Sequence, residues 1–204
     1  VLEEPVLGAT LSLAKEPKQP AVYPKIHAPR KLDIACGQNK QKGFKGIDKG
    51  GDADITHDLF TYPWPIKGGS VREVVSNHFV EHIPHSRPDW EFDGWFMFFA
   101  EVHRICANGA MMSVAHPYVW NDRAFWDPTH VRFIHWMSYY YLNKEWRTSQ
   151  GLDHYAPDIN FEVVTIEGPT ADDVASRPED YQNHAREHWK NVIGDLHVIL
   201  KVVK

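Results

Sequence analysis

Residues 31–48 read K-L-D-I-A-C-G-Q-N-K-Q-K-G-F-K-G-I-D. Lys31–Cys36 is a short, mostly apolar run halted by Gly37, the signature of a buried strand. Phe44–Asp48 is a second such run, and it ends on a carboxylate. Only Gly37–Gly43 lies between them. A parallel crossover ordinarily takes a dozen or more residues. The first connecting helix is therefore expected to shrink to about one turn, or the strands to be shorter than drawn.

Downstream, the same reading gives further strands at Ala53–Asp58, Val71–Ser76, Ala110–Ala115, Phe161–Glu167 and Leu196–Val203. Trp95–Cys106 reads as a helix, because Phe96, Phe99, Val102, His103 and Cys106 recur at spacings of three and four. Asn108-Gly109 suits its end. Trp136–Asn143 and Tyr181–Lys190 are further helix candidates. Short apolar strands alternating with helices or loops imply an α/β sheet covered on both faces. The two C-terminal strands, with one candidate helix between them, suit an antiparallel edge.

Upstream, Pro5, Pro17, Pro20, Pro24 and Pro29 break any periodicity in residues 1–30. Proline fixes φ and removes a donor, so this stretch reads as an arm: a leader, or a flap with Tyr23 as its most useful side chain. Leu7–Ala14 could form one or two helical turns. Residues 31–204 read as a single domain.

Composition narrows the function classes. The chain of 204 residues carries 22 basic and 27 acidic side chains, for a formal charge of -5. That disfavours a generic polyanion binder, whose affinity comes from Lys and Arg on phosphates. Two cysteines, Cys36 and Cys106, exclude a disulfide framework and a four-thiolate zinc site. No stretch reaches the roughly 20 apolar residues of a membrane span. No basic-then-apolar signal opens the sequence. A soluble cytoplasmic protein is the expectation.

In open α/β sheets, ligands bind beyond the carboxyl ends of the strands. Ala35, Cys36 and Gly37 follow the first strand, where small residues let a ligand approach the backbone. Asp48 ends the second, placed to accept hydrogen bonds from a ribose diol. Asp58-Leu59 follows the third, an acid beside an apolar residue, suited to an adenine amino group and ring. Asn77-His78-Phe79-Val80-Glu81-His82 follows the fourth and His116-Pro117-Tyr118 the fifth.

The segments L-D-I-A-C-G (32–37), G-F-K-G-I-D (43–48), H-D-L (57–59), S-N-H-F-V-E-H-I (76–83), E-V-H-R-I-C-A-N-G-A (101–110) and D-P-T-H-V-R-F (127–133) occur in that order. Together they resemble class I S-adenosylmethionine-dependent methyltransferases, in particular a compact microbial branch with a short first crossover and a D-P-T-H segment. The resemblance covers about residues 31–135. It implies a Rossmann-like, seven-stranded, mostly parallel sheet with an antiparallel last strand, and S-adenosyl-L-methionine as cofactor with S-adenosyl-L-homocysteine as product. It implies that Asp33 helps hold the methionine amino group and that His78 lines the cofactor near its sulfonium. The first loop departs from the family pattern, with Ala35 and Asn39 in two glycine places. Glu81 and His82 read as structural residues at a helix start.

The expected activity is methyl transfer to an oxygen or nitrogen of a small-molecule or sugar acceptor. The alternatives are a nucleic-acid methyltransferase and a non-catalytic S-adenosylmethionine-binding protein. The first lacks the Asn/Asp-Pro-Pro-Tyr/Phe motif after the fourth strand. A hydroxyl acceptor would need a base, and His116 or His130 is expected to supply it. Tyr118, Trp126, Asp127 and Arg132 are candidate acceptor-binding residues, with Arg132 suited to grip a carboxylate or to pair with Asp127. His116, Asp127, His130 and His135 match no established ligand spacing, so no metal is expected. Cys36 reads as a small packing residue rather than a nucleophile.

Overall fold

The computed structural model of the chain describes residues 25–204. Tyr23 and Leu7–Ala14 therefore lie outside the described residues. Seven strands form one sheet: β1 (Lys31–Ile34), β2 (Lys45–Asp48), β3 (Ile55–Thr56), β4 (Val71–Asn77), β5 (Cys106–Pro117), β6 (Phe161–Glu167) and β7 (Asp195–Val202). Their order is β3-β2-β1-β4-β5-β7-β6. The pairs β1·β2, β1·β4, β2·β3 and β4·β5 are parallel, and β7 runs antiparallel between β5 and β6. The order grows outward from β1 in both directions, so the chain switches sides between β1 and β4. A crevice at such a switch point is where open α/β sheets hold ligands.

Burial explains the strand texture. In β1, Leu32, Asp33 and Ile34 are all buried, as expected of a strand covered on both faces. The first connection, residues 35–44, contains turns and no helix, which resolves the crossover constraint. β1 also ends two residues earlier than its apolar run. β3 is only Ile55–Thr56, shorter than the expected Ala53–Asp58.

The long helix α1 (Gly94–Ile105) is the expected one. The Asp93 side chain caps it by accepting from the Trp95 amide at 2.8 Å. It buries Trp95, Phe98, Phe99, Val102 and Ile105, a stripe spaced three and four apart. Its stop is not Asn108-Gly109. The chain turns extended at Cys106, and both residues lie in β5, Gly109 with φ +77°. Four shorter helices follow: α2 (Arg123–Trp126), α3 (Lys144–Gln150), α4 (Asp172–Ala175) and α5 (Glu179–His188). The segment expected to be helical at 136–143 is a 3-10 helix, Trp136–Leu142. Asn143, read as its end, is its C-cap and also the N-cap of α3, accepting from the Trp146 amide at 2.8 Å.

The main core gathers the apolar residues of β1, β2, β4 and β5 with Trp64, Phe98, Phe99, Tyr139 and Phe161. Much of the aromatic content therefore fills the interior. Val174, Ala185 and Val192 form a small second cluster under α4 and α5. Residues 25–30 are held away from the carboxyl ends of the strands. His27 donates to the Pro65 carbonyl at 2.8 Å and accepts from Lys67 at 2.7 Å. They border a pocket with Lys45 and Ile55, the first residues of β2 and β3. Among the described residues, no helix is long and apolar enough to cross a membrane.

Candidate cofactor crevice and the histidine–carboxylate cluster

The carboxyl ends of β1 and β2 are tied together by side chain and backbone. Ala35 leaves β1 with φ +58° and donates to the Ile47 carbonyl at 2.9 Å. Gly37 follows with φ +49° and donates its amide to Asp48 Oδ2 at 2.9 Å. Asp48 Oδ1 accepts from Gly50 at 3.1 Å. An ionised carboxylate has about four lone-pair sites, so two remain for a ligand. A Cβ placed on Gly37 would meet open space, so no neighbouring atom crowds the backbone there.

Asp33 is buried in the middle of β1, and its Oδ2 accepts from the Gln41 amide at 2.6 Å. Burial raises its carboxyl above the ordinary value, partly offset by that bond. The Cys36 thiol is buried, and its Sγ fills the space a Cβ on Gly46 would need. Only the backbone of Cys36 is left to meet a cofactor, and burial pushes its thiol pKa up. Lys40, Lys45 and the Gly46 amide converge on Asp54, and these bonds hold its carboxyl far below the usual range. This clamp on the first loop was not singled out in the sequence, since one Asp among several carries no local signal.

Asp58 forms a turn. Its Oδ1 accepts from Phe60 at 3.1 Å and its Oδ2 from the Thr61 hydroxyl at 3.3 Å. It keeps an exposed edge, whereas Leu59 belongs to the main core at 5% exposure. His78, at the end of β4, is exposed and has φ +51°. Its Nδ1 lies 3.5 Å from Glu81 Oε1 and its Nε2 lies 3.7 Å from Asp195 Oδ2. The Glu81 carboxylate, with a smaller contribution from Asp195, raises its pKa against the opposing effect of burial.

The expected bases lie inside. His116 has no exposed surface. Its Nδ1 pairs with the Pro117 carbonyl at 2.9 Å, its ring stacks on Tyr139 at 5.8 Å, and its Nε2 has no partner among the described residues. Burial lowers its pKa. His130 is nearly buried, with Nδ1 2.9 Å from the Ala124 carbonyl. His135 caps the 3-10 helix, its Nδ1 accepting from Met137 at 3.2 Å. His116 and His135 thus have structural partners of their own.

Arg132 pairs neither with Asp127 nor with open solvent. It donates to the Ile83 and Pro84 carbonyls at 2.6 and 2.8 Å and pairs with Asp93 at 2.9 Å. It pins the cap of α1 to the segment after β4. Asp127 is engaged by Thr129, whose amide and hydroxyl both reach Oδ1 at 2.7 Å. Trp126 is 74% exposed, while Tyr118 is buried at the edge of a cavity of about 450 Å³ shared with Trp136 and Tyr140. A second cavity, about 390 Å³, is lined by His85, Asp93, Phe96, Arg132 and Phe133. Neither touches Gly37, Asp48, Asp58 or His78. The cofactor candidates lie outside both cavities, at or beyond the carboxyl ends of their strands.

No family model matches the chain, and no curated protein matches it in sequence. Solved structures do match in shape. A SAM-dependent methyltransferase from Archaeoglobus fulgidus superposes with a TM-score of 0.52 at 17% identity, covering 84% of this chain and 85% of that one. SAM-dependent methyltransferases from Methanosarcina mazei give a TM-score of 0.50 at 15% identity, covering 89% of this chain and 95% of that one. With the strand order and the inserted antiparallel β7, these likenesses show that the chain has the class I S-adenosylmethionine-dependent methyltransferase fold.

Proposed function

We propose that the chain transfers a methyl group from S-adenosyl-L-methionine to an oxygen or nitrogen of a small-molecule or sugar acceptor. The observation that carries this reading is the Gly37–Asp48 bond, which joins the carboxyl ends of β1 and β2 next to the β1–β4 switch point. It fixes a carboxylate with two free lone-pair sites beside an open, side-chain-free backbone. That pairing suits a ribose diol next to a small-residue turn. Asp33, by holding Gln41, keeps the turn closed behind it. Asp58 offers a carboxylate edge at the neighbouring strand end.

The bound sulfonium supplies an activated methyl group. The residues of this chain bind and orient, which is most of what an in-line displacement asks of a protein. If the acceptor is a hydroxyl, the imidazole best placed to take its proton is His78, because it is exposed at the end of β4. His116 and His130 would need their surroundings to open before they could act. On the acceptor side, Phe125, Trp126 and Phe133 are exposed, and Phe125 stacks on Phe133 at 4.6 Å. They offer apolar wall to an acceptor, in keeping with the acidic chain. For the N-terminal arm, residues 1–30, deletion separates a flap from a leader: loss of a flap should raise the Michaelis constant more than it lowers thermal stability.

Radiolabelled methyl transfer to a panel of sugars and phenols, together with His78→Asn, tests the reading. The variant should lower turnover with hydroxyl acceptors by about 10²–10⁴ and weaken cofactor affinity much less than Asp48→Ala does. Transfer to oligonucleotides in place of the panel would overturn the choice of acceptor. Cofactor binding without any transfer would favour a non-catalytic role.

A further inference from the structure

The end of β4 and the D-P-T-H segment meet in a cluster that methyl transfer does not require. Glu81 and His82 stand in the 3-10 helix Val80–His82, and His130 arrives from residues 127–133. One ligand atom from each lies within 4.8 Å of the others. Backbone bonds hold the two segments together. Val131 and Arg132 donate to the Glu81 carbonyl at 2.9 and 3.0 Å.

Glu81 is 2% exposed, and among the described residues neither of its carboxylate oxygens has a hydrogen-bond partner. Its Oε1 lies 4.0 Å from His130 Nε2 and 3.5 Å from His78 Nδ1, both too far for good hydrogen bonds. A buried carboxylate with only such long contacts is costly, and a bound cation would lower that cost. The two histidines are arranged to present lone pairs. His130 Nδ1 sits 2.9 Å from the Ala124 carbonyl, and His82 Nδ1 sits 3.2 Å from the Thr129 carbonyl. The Thr129 hydroxyl also lies 3.1 Å from His82 Nδ1, but it donates to Asp127 Oδ1 at 2.7 Å. A proton on each Nδ1 would satisfy these acceptors and leave each Nε2 bare. Metal-bound histidines are oriented in the same way, by the bond their other nitrogen makes. The His82 and His130 rings are 4.8 Å apart, edge to face. Asp127 Oδ2 lies 4.0 Å from His130 Nε2, on the far side of a carboxylate whose Oδ1 is held by Thr129.

We propose that Glu81, His82 and His130 bind a divalent first-row transition cation, with zinc the best fit, and that Asp127 lies next to the ion as a further oxygen donor. Two imidazoles and a carboxylate favour zinc over magnesium, which prefers oxygen donors alone. Donors on a zinc ion at roughly 2.0–2.2 Å stand about 3.3–3.6 Å apart. The Glu81–His130 pair, at 4.0 Å, needs to close by about half an ångström, and a pair at the 4.8 Å limit of the cluster by up to about 1.5 Å. This site does not depend on the methyl-transfer reading. It replaces the expectation of no metal. The sequence signal was weak because Glu81 and His82 are adjacent while His130 is far along the chain.

The test is calorimetric titration of ZnCl2 into the full chain after treatment with a chelator. The exposed pair His184 and His188, stacked at 4.3 Å on α5, could bind zinc on its own. A His184→Ala/His188→Ala background removes it. In that background one equivalent of zinc should bind. His130→Ala, His82→Ala and Glu81→Gln should each weaken binding by at least about tenfold, the lower end of what loss of even an outer partner costs. The visible absorption of Co2+ in tetrahedral nitrogen–oxygen coordination should appear in the background protein and vanish in His130→Ala. MgCl2 should not compete. Failure of the background protein to bind zinc, or equal binding in His82→Ala and His130→Ala, would overturn the proposal. Should His130→Ala lose its circular-dichroism signature, the half-buried His82 carries the decision through His82→Ala.

Discussion

The Asp33 carboxylate accepts a 2.6 Å hydrogen bond from the Gln41 amide, closing the first crossover onto the strand it leaves. Asp33 is 5% exposed, so the bond is shielded from water. Replacing it with alanine leaves a backbone donor without its acceptor. Asp33→Ala should cost about 1–3 kcal/mol in urea unfolding and also weaken S-adenosylhomocysteine binding, because the Gly37 turn loosens. An unchanged midpoint would show that the crossover holds itself.

Phe99 has no exposed surface and touches the rings of Trp95, Phe98 and Phe161 at centroid distances of 4.8, 5.1 and 5.7 Å. It joins α1 to β6 through the middle of the core. Phe99→Ala should destabilise by about 3–5 kcal/mol. A loss under about 1 kcal/mol would mean that the core collapses around the gap.

Arg132 separates a structural role from an acceptor-binding one. Arg132→Ala strips the donors from the Ile83 and Pro84 carbonyls and from Asp93. Stability should fall by about 1–3 kcal/mol while cofactor affinity stays constant. A raised Michaelis constant for the acceptor with no loss of stability would return Arg132 to the acceptor pocket.

Acid should destabilise the chain through its buried imidazoles. Burial lowers the pKa of His103 and of His116 from the ordinary 6.5, against the smaller opposing effects of bonds to the Val203 and Pro117 carbonyls. The unfolded chain takes up these protons first as pH falls. Their contribution to stability is therefore complete above about pH 6.5 and is lost as pH falls through the folded values. The urea midpoint should drop between about pH 7.5 and about pH 5, with a shallower drop in His103→Gln. A midpoint that rises on acidification would contradict this.

The parts of the site set by strand ends were legible in the sequence, because a run such as L-D-I before Ala-Cys-Gly and a terminal Asp48 are local signals. Side-chain direction was not. His116 and His78 both follow apolar strands, yet β5 continues to Pro117 and buries His116, while β4 ends at Asn77 and exposes His78. The extent of β5 was hidden by Asn108-Gly109, a pair that suits a helix end as well as a strand irregularity. Helix α3 was missed because Asn143 ends one helical turn and caps the next. The partners of Arg132, and His130 beside Glu81, come from elements dozens of residues away, which no local pattern encodes.

The most direct test is calorimetry of S-adenosylhomocysteine with the wild-type chain and with Asp48→Ala. The wild type should bind one equivalent. Loss of a charge-assisted ribose contact should cost about 1.5–3 kcal/mol, or roughly one to two decades in affinity. No heat of binding in the wild type, or equal affinity in Asp48→Ala, would contradict the assignment of the crevice.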